Sequence, residues 1–288
     1  MKRYLSLVLL SLFFLGGIFF YQSAKINDGK LHLIVCDVGQ GDAIYLKTPS
    51  GKDILVDGGP NDSVLNCLNN NMPFWDRTLD LVVLTHPDAD HISGLVSVLE
   101  RYTVLHFVTS ETSKSTGIYK KFLQQLQKNN LALKYVYSKD KIDFTDGVVS
   151  EVIWPTVEVI NSSKPINESK VNEFSVIQVI TFGNFKALLT GDAGAIVEDQ
   201  IAKDAGDIDI LKVPHHGSKT AMTDYFLSAT KPELAVISVG AKNSYGHPTQ
   251  ITLGLLENHN AKILRTDKNG EVEITTDGKN YWVYPAPQ

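Results

Sequence analysis

The stretch Leu79-Asp80-Leu81-Val82-Val83-Leu84-Thr85-His86-Pro87-Asp88-Ala89-Asp90-His91-Ile92-Ser93-Gly94 runs from an almost unbroken apolar segment into a knot of polar groups. The apolar part, Leu79–Leu84, has the length and composition of a strand covered on both faces, as in α/β proteins. A helix is predicted from about Ile92 to Arg101. Between them, His86, Asp88, Asp90 and His91 place two imidazoles and two carboxylates in one short loop. Such groups would repel or stay unsatisfied in a core. A divalent cation removes the conflict, because carboxylates and neutral imidazoles are its ordinary ligands. A carboxylate here could instead cap the helix, which would account for one acid and neither histidine.

Working outward, the same pattern of apolar strand, histidines and helix recurs. Strand Ile208–Val213 leads to Pro214-His215-His216-Gly217-Ser218 and a helix predicted over Thr220–Ala229. Short β-rich segments at Leu31–Cys36, Ala43–Lys47 and Asp53–Val56, separated by glycine turns, form a meander. Further strands are predicted at Val104–Val108, Val148–Trp154, Phe174–Phe182, Phe185–Leu189, Leu234–Val239 and Lys262–Leu264. Helices are predicted at Asn61–Asn71, Tyr119–Asn129, Ala195–Lys203 and Thr249–Asn258. A last hairpin turns at Asp277-Gly278, and the polar segment 139–173 reads as a loop excursion around its single strand. No linker divides residues 31–288. A meander plus strand–helix units implies an α/β fold of two sheets with helices outside.

Leu84–Gly94 resembles the metal-binding motif of the metallo-β-lactamase superfamily, His-x-His-x-Asp-His, with Asp88 in place of the middle histidine. With Asp37–Ala43 upstream, that variant is similar to the extracellular hydrolase domain of ComEC competence proteins. The likeness continues through Ile54–Gly59, Leu188–Ala193, Leu211–Ser218 and Tyr245–Pro248, and so spans almost all of residues 31–284. It implies an αββα sandwich with a dinuclear site between its sheets, holding two divalent ions, Zn²⁺ or Mn²⁺.

Carried over residue by residue, the resemblance puts His86 and Asp88 at one metal position and Asp90 and His91 at the other. Asp192 matches the bridging carboxylate, and Asp57 the buried aspartate that supports the metal loop. His247 is a candidate for the last histidine and for catalysis. Of the pair His215 and His216, one would complete the first metal, taken here as His215, and the other would donate a proton. The histidine usual to the third motif is missing, and the region around Asn172 stands in its place. His32, His106 and His259 read as ordinary surface or core histidines, and Trp75, Trp154 and Trp282 as packing residues.

Hydrophobic residues make up 43% of the 288 and charged residues 20%, which excludes a disordered chain. The net charge of −5 is not that of a protein held to nucleic acid by bulk charge. Lys212, Lys219 and Lys242 lie near the predicted metal loops and would supply a local phosphate-binding lip, with Lys219 at a helix start. Cys36 and Cys67 do not form a C-x-x-C pair. Cys36 lies in a strand-like run and is read as a buried free thiol, a Cys36–Cys67 disulfide being the minor alternative.

Lys2 and Arg3 precede an apolar run, Tyr4–Tyr21, at the lower edge of membrane-spanning length, about 17–25 residues. It is long for a signal-peptide core, and cleavage after Ala24 would put Gln22 at the −3 position. Residues 1–24 are therefore read as a membrane anchor, or else a signal peptide, with residues 31–288 forming a hydrolase domain outside the cytoplasm. The resemblance points to DNA or another phosphodiester as substrate. A lactam, lactone or phosphocholine ester is the alternative.

Overall fold

The computed structural model describes Tyr4, residues 7–14, residues 16–17 and residues 28–285. Of the predicted anchor run Tyr4–Tyr21, residues 5–6, 15 and 18–21 lie outside the described residues. Among those described, no helix is long and apolar enough to cross a membrane.

Among the described residues, fifteen strands form two sheets. One holds β1 (Leu31–Val35), β2 (Ile44–Lys47), β3 (Asp53–Val56), β4 (Thr78–Leu84), β5 (Thr103–Thr109) and β6 (Leu133–Tyr135), with β14 (Val272–Thr276) and β15 (Tyr281–Pro285), in the order β15-β14-β1-β2-β3-β4-β5-β6. The other holds β7 (Lys141–Asp143), β8 (Val148–Trp154), β9 (Ile177–Phe182), β10 (Phe185–Leu189), β11 (Ile210–Lys212), β12 (Leu234–Ile237) and β13 (Lys262–Arg265), in the order β13-β12-β11-β10-β9-β8-β7.

Strand β4 shows why its sequence is apolar on both sides. Leu81 and Val83 join a core between the two sheets, which Ile180, Ala187, Leu189 and Val236 enter from the other side. Leu79, Val82 and Leu84 face a second core under α1 (Ser63–Asn71), α2 (Ala89–Arg101) and α3 (Gly117–Lys128). After α4 (Val157–Ser162), helices α5 (Ala195–Ala205), α6 (Asp224–Thr230) and α7 (Gln250–Asn258) cover the second sheet over a third core. The layers are helix, sheet, sheet, helix, as the sequence implied.

Helix α2 buries Ile92, Leu95, Val98 and Leu99, one stripe at helical spacing. It also lies very close to the turn after β3. A Cβ on Gly94 would sit 1.9 Å from the Gly58 carbonyl oxygen, so only glycine lets helix and turn meet. Gly58 N donates to the His91 carbonyl at 2.7 Å, which fixes the helix start against the turn.

Several sequence expectations change. Cys36 and Cys67 are joined by a disulfide, with Cα atoms 5.8 Å apart. The reading as free thiols took Cys36 for a strand residue. In fact β1 ends at Val35, and the bond ties the strand end to α1. Segment 139–173 is more ordered than a loop, for it contains β7, α4 and a 3-10 turn over Glu168–Phe174. That turn takes the place of the first residues of the strand predicted from Phe174. Helix α6 begins at Asp224 with Thr223 as its cap, so Lys219 does not stand at a helix start.

Candidate metal centre

The chemistry-bearing loops all leave the same ends of strands. Asp57 follows β3, the His86–His91 loop follows β4, Asp192 follows β10, and His215 and His216 follow β11. Strands β3–β5 run parallel, as do β10–β13, so their carboxyl ends gather at one seam. The loops are bonded across the seam: Asp42 N donates to the Asp90 carbonyl at 3.2 Å, and Ser238 Oγ donates to the Gly41 carbonyl at 2.6 Å.

Asp90, His91, Asp192 and His216 each offer a donor atom to one small volume, all within 4.8 Å of one another. His91 Nε2 lies 3.4 Å from Asp192 Oδ1, and His216 Nε2 lies 3.4 Å from both Asp90 Oδ2 and Asp192 Oδ2. His91, His216 and Asp192 are buried.

The far side of each ring decides which nitrogen faces that volume. His91 Nδ1 donates to Asp57 Oδ2 at 2.8 Å, and His216 Nδ1 to the Ser238 carbonyl at 2.9 Å. In the neutral rings both Nε2 atoms then carry the free lone pairs. Asp57 also accepts from Thr85 N at 2.8 Å and Thr85 Oγ1 at 2.7 Å. These contacts hold Asp57 at φ 59°, a backbone conformation that a non-glycine residue keeps only when its surroundings enforce it. His215 and His216 are held likewise at φ 46° and 52°.

His91 Nε2, His216 Nε2, Asp192 Oδ1 and His86 Nε2 are buried and have no hydrogen-bond partner among the described residues. Buried polar atoms are rarely left so. Four orphaned donors with lone pairs at one seam fit a divalent cation.

Electrostatics agree. Burial alone would push the Asp192 carboxyl up, but His216 and His91 hold it well below the usual carboxylate range. Burial likewise disfavours charge on His91 and His216. Asp192 outweighs it, helped by Asp57 at His91 and Asp42 at His216, and keeps both rings well above the ordinary histidine value. A cation taken up here would displace those protons.

The remaining expected residues lie around this cluster. His86 Nδ1 is 3.0 Å from Thr85 Oγ1, which already donates to Asp57 and so accepts from the ring, leaving Nε2 free. Asp88 stands at the N-cap of α2, yet its side chain makes no capping bond. Its Oδ2 is 3.7 Å from His86 Nε2, and its Oδ1 meets the Lys114 ammonium. Burial would raise its pKa, but His86 and Lys114 bring it down to about 2.

His216, expected as a proton donor, is the member of its pair aimed into the cluster. His215, expected as a ligand, lies on the rim with its side chain 36% exposed and Nε2 3.9 Å from Asp192. His247 is also on the rim. Its ring stands edge-on to His215 at 5.8 Å and stacks on Tyr245 at 5.7 Å, and it is not among the four clustered donors. Burial and the nearby His215 and His216 lower its pKa. Lys219 is exposed just beyond Ser218, as Lys242 is on the loop before His247.

Lys212 cannot form a phosphate lip. It is buried and ion-paired at 2.6 Å with Asp42, whose other oxygen is 3.4 Å from His216 Nδ1. The expectation failed because Lys212 ends β11 facing the seam. Asp42 and Lys212 thus form a second support behind His216, and sequence reading gave Asp42 no role. Ser175 was also missed. Just past Asn172, its Oγ lies 3.3 Å from His86 Nδ1 and accepts from Asp192 N at 3.3 Å, so the third-motif region supplies a hydroxyl that braces His86 and the Asp192 turn. Lys114 gave no signal, being one lysine in the Ser/Thr-rich turn before α3.

Comparison with known proteins accords with this geometry. Residues 36–161 match the metallo-beta-lactamase superfamily. The chain is 29% identical over 280 residues to ComE operon protein 3 of Bacillus subtilis, covering 90% of this chain and 35% of that protein. It is 27% identical over 267 residues to competence protein ComA of Neisseria gonorrhoeae, covering 90% and 34%, and 27% identical over 242 residues to recombination protein 2 of Haemophilus influenzae, covering 83% and 28%. It therefore spans about a third of the length of these relatives. Among solved structures, the metallo-beta-lactamase fold protein YhfI of Bacillus subtilis aligns with a TM-score of 0.53 at 12% identity, over 83% of this chain and 96% of that one. Igni18, a metallo hydrolase of Ignicoccus hospitalis, aligns with a TM-score of 0.53 at 16% identity, over 89% and 100%. These two likenesses concern the fold alone.

Proposed function

We propose that this protein, which carries a metallo-β-lactamase domain akin to those of competence proteins, is a metal-dependent phosphodiesterase that cuts DNA outside the cytoplasm. The observation that carries the hydrolase reading is the pocket of Asp90, His91, Asp192 and His216 with its orphaned buried donors. The DNA substrate rests on the likeness to three proteins of competence and recombination. The mixed oxygen and nitrogen donor set suits Zn²⁺ or Mn²⁺. Of the two ions expected, one has these four donors, and the other has only His86 and Asp88 beside the shared Asp192.

A divalent ion held there would acidify a water and stabilise charge on a phosphoryl oxygen. The chain supplies the rest. Asp57 and the Ser238 carbonyl fix the rings of His91 and His216. Asp42, charged by its pairing with Lys212, holds His216 from behind. His215 and His247 stand on the rim, where either can hand a proton to the leaving oxygen. Lys219 offers an exposed cation to a neighbouring phosphate of a polyanion.

Placement outside the cytoplasm is supported by the Cys36–Cys67 disulfide, a bond that persists in oxidising compartments. It is supported also by the charged flank and apolar run of residues 1–24, read as anchor or signal peptide ahead of the domain.

The test gives the full chain single-stranded DNA, a bis-aryl phosphodiester and a chromogenic lactam, with and without Mn²⁺ or Zn²⁺. Metal-dependent DNA cleavage is expected, abolished in Asp192→Ala together with loss of bound metal. Lys219→Ala should slow DNA cleavage several-fold more than cleavage of the small diester. Turnover of the lactam with intact DNA would replace this reading by its rival.

A further inference from the structure

The two metal positions implied by the sequence are not equivalent in the folded chain. One is a complete four-donor pocket. At the other, no third donor comes close enough to His86 and Asp88 to form a group, among the described residues. His215, the residue expected to complete it, is turned to the rim. The third-motif region offers Ser175 Oγ, and that oxygen faces His86 Nδ1, the wrong side of the ring for an ion at Nε2. An ion there would have only His86, Asp88 and a bridging Asp192, so a group that takes up Asp88 leaves it too few.

A cation is nevertheless present at this position. The Lys114 ammonium reaches in from the turn between β5 and α3 and meets Asp88 Oδ1, while Asp88 Oδ2 points to His86 Nε2. Both side chains are more than three-quarters buried, Lys114 at 19% exposure and Asp88 at 23%. This is not a loose surface pair. Asp88 forgoes the helix cap that its place in the chain offers and turns to the lysine.

We propose that Lys114 replaces the second metal ion, so that the centre binds one divalent cation, at Asp90, His91, Asp192 and His216, beside a fixed ammonium held by Asp88. A lysine here excludes a second ion by charge and by occupying the carboxylate that would bind it. It also leaves a permanent positive group next to the ion, where an anionic substrate must approach. The proposal rests on the metal-centre reading above.

The experiment measures stoichiometry and not turnover. The full chain is dialysed to equilibrium against Mn²⁺ and analysed for bound metal, and its electron paramagnetic resonance spectrum is recorded for exchange coupling between ions. The wild type should hold one tightly bound ion per chain with no coupling. Lys114→Gln and Lys114→Met should each take up a second ion, and adding His86→Ala should remove it again. Circular dichroism selects the folded variants. Two tightly bound, coupled ions in the wild type would overturn the inference and leave the hydrolase reading intact. A stoichiometry of one in every folded Lys114 variant would also overturn it. No tightly bound ion in the wild type would fail the metal-centre reading itself, and this inference with it.

Discussion

Asp42 and Lys212 form a charged pair in a setting where desolvation is costly. Each is almost wholly buried, and Lys212 Nζ has the Val213 carbonyl at 3.0 Å as a further acceptor. Burial would push the Asp42 carboxyl up, yet Lys212 and then His216 hold it well below the usual range. Removing one partner of such a pair strands the other. Lys212→Met should therefore destabilise the fold by about 3–5 kcal/mol, and the double variant Lys212→Met/Asp42→Leu by clearly less. Urea unfolding of the three proteins checks this, and equal losses in single and double variants would contradict it. The metal-loop residues His86 to His91 were legible in the sequence because they crowd one short segment, where no core could satisfy them. Asp42 and Lys212 were not, because their meaning lies in a contact between two sheets, and each alone reads as an ordinary charge. The same holds for Lys114.

Helix α5 carries a carboxyl group on its buried stripe. Glu198 sits among Val197, Ile201, Ala202 and Ala205, and neither carboxyl oxygen has a hydrogen-bond partner among the described residues. Burial, and then Asp199, push its pKa well above the ordinary glutamate value. The folded state thus keeps a proton that the unfolded chain releases near pH 4.5, and stability falls as pH rises above that point. Glu198→Met should raise stability at pH 8 by about 1–3 kcal/mol, with the gain shrinking as pH falls toward 4. Thermal unfolding across that range measures it. A gain independent of pH would show that the carboxyl is solvated. Most elements were legible, with α2, α5, β4 and β8 found within a few residues, because apolar periodicity is a local signal. Segment 139–173 and the start of α6 were not. The first is polar without a period, and the second is decided by the Thr223 cap, which accepts from Phe226 N.

At the scale of the molecule, the Cys36–Cys67 bond closes a loop of sequence separation 31 that contains β2, β3 and both Asp42 and Asp57. On the loop-entropy account, such a closure stabilises by about 3–4 kcal/mol. Reduction should lower the urea midpoint accordingly and loosen the supports of His91 and His216, so metal affinity should drop in parallel. Unchanged midpoint and affinity after reduction would mean that the loop holds its shape without the bond. The two-sheet architecture followed from the order of strands and helices. The disulfide did not, since spacing alone cannot show that a strand end and a helix will meet.

Strand β1 lies between β2 and β14, with Leu31 opposite Thr276 and Val35 opposite Val272. Its second neighbour is therefore made almost a whole chain length later. While the polypeptide emerges, β1 has one bare edge, and the loop that follows it, bearing Asp42, lacks its final anchorage. Contacts this distant in sequence form slowly and late. The timing has a physical meaning. The seam is not fully braced until the β14–β15 hairpin is released, because the strand made first waits for one made near the end.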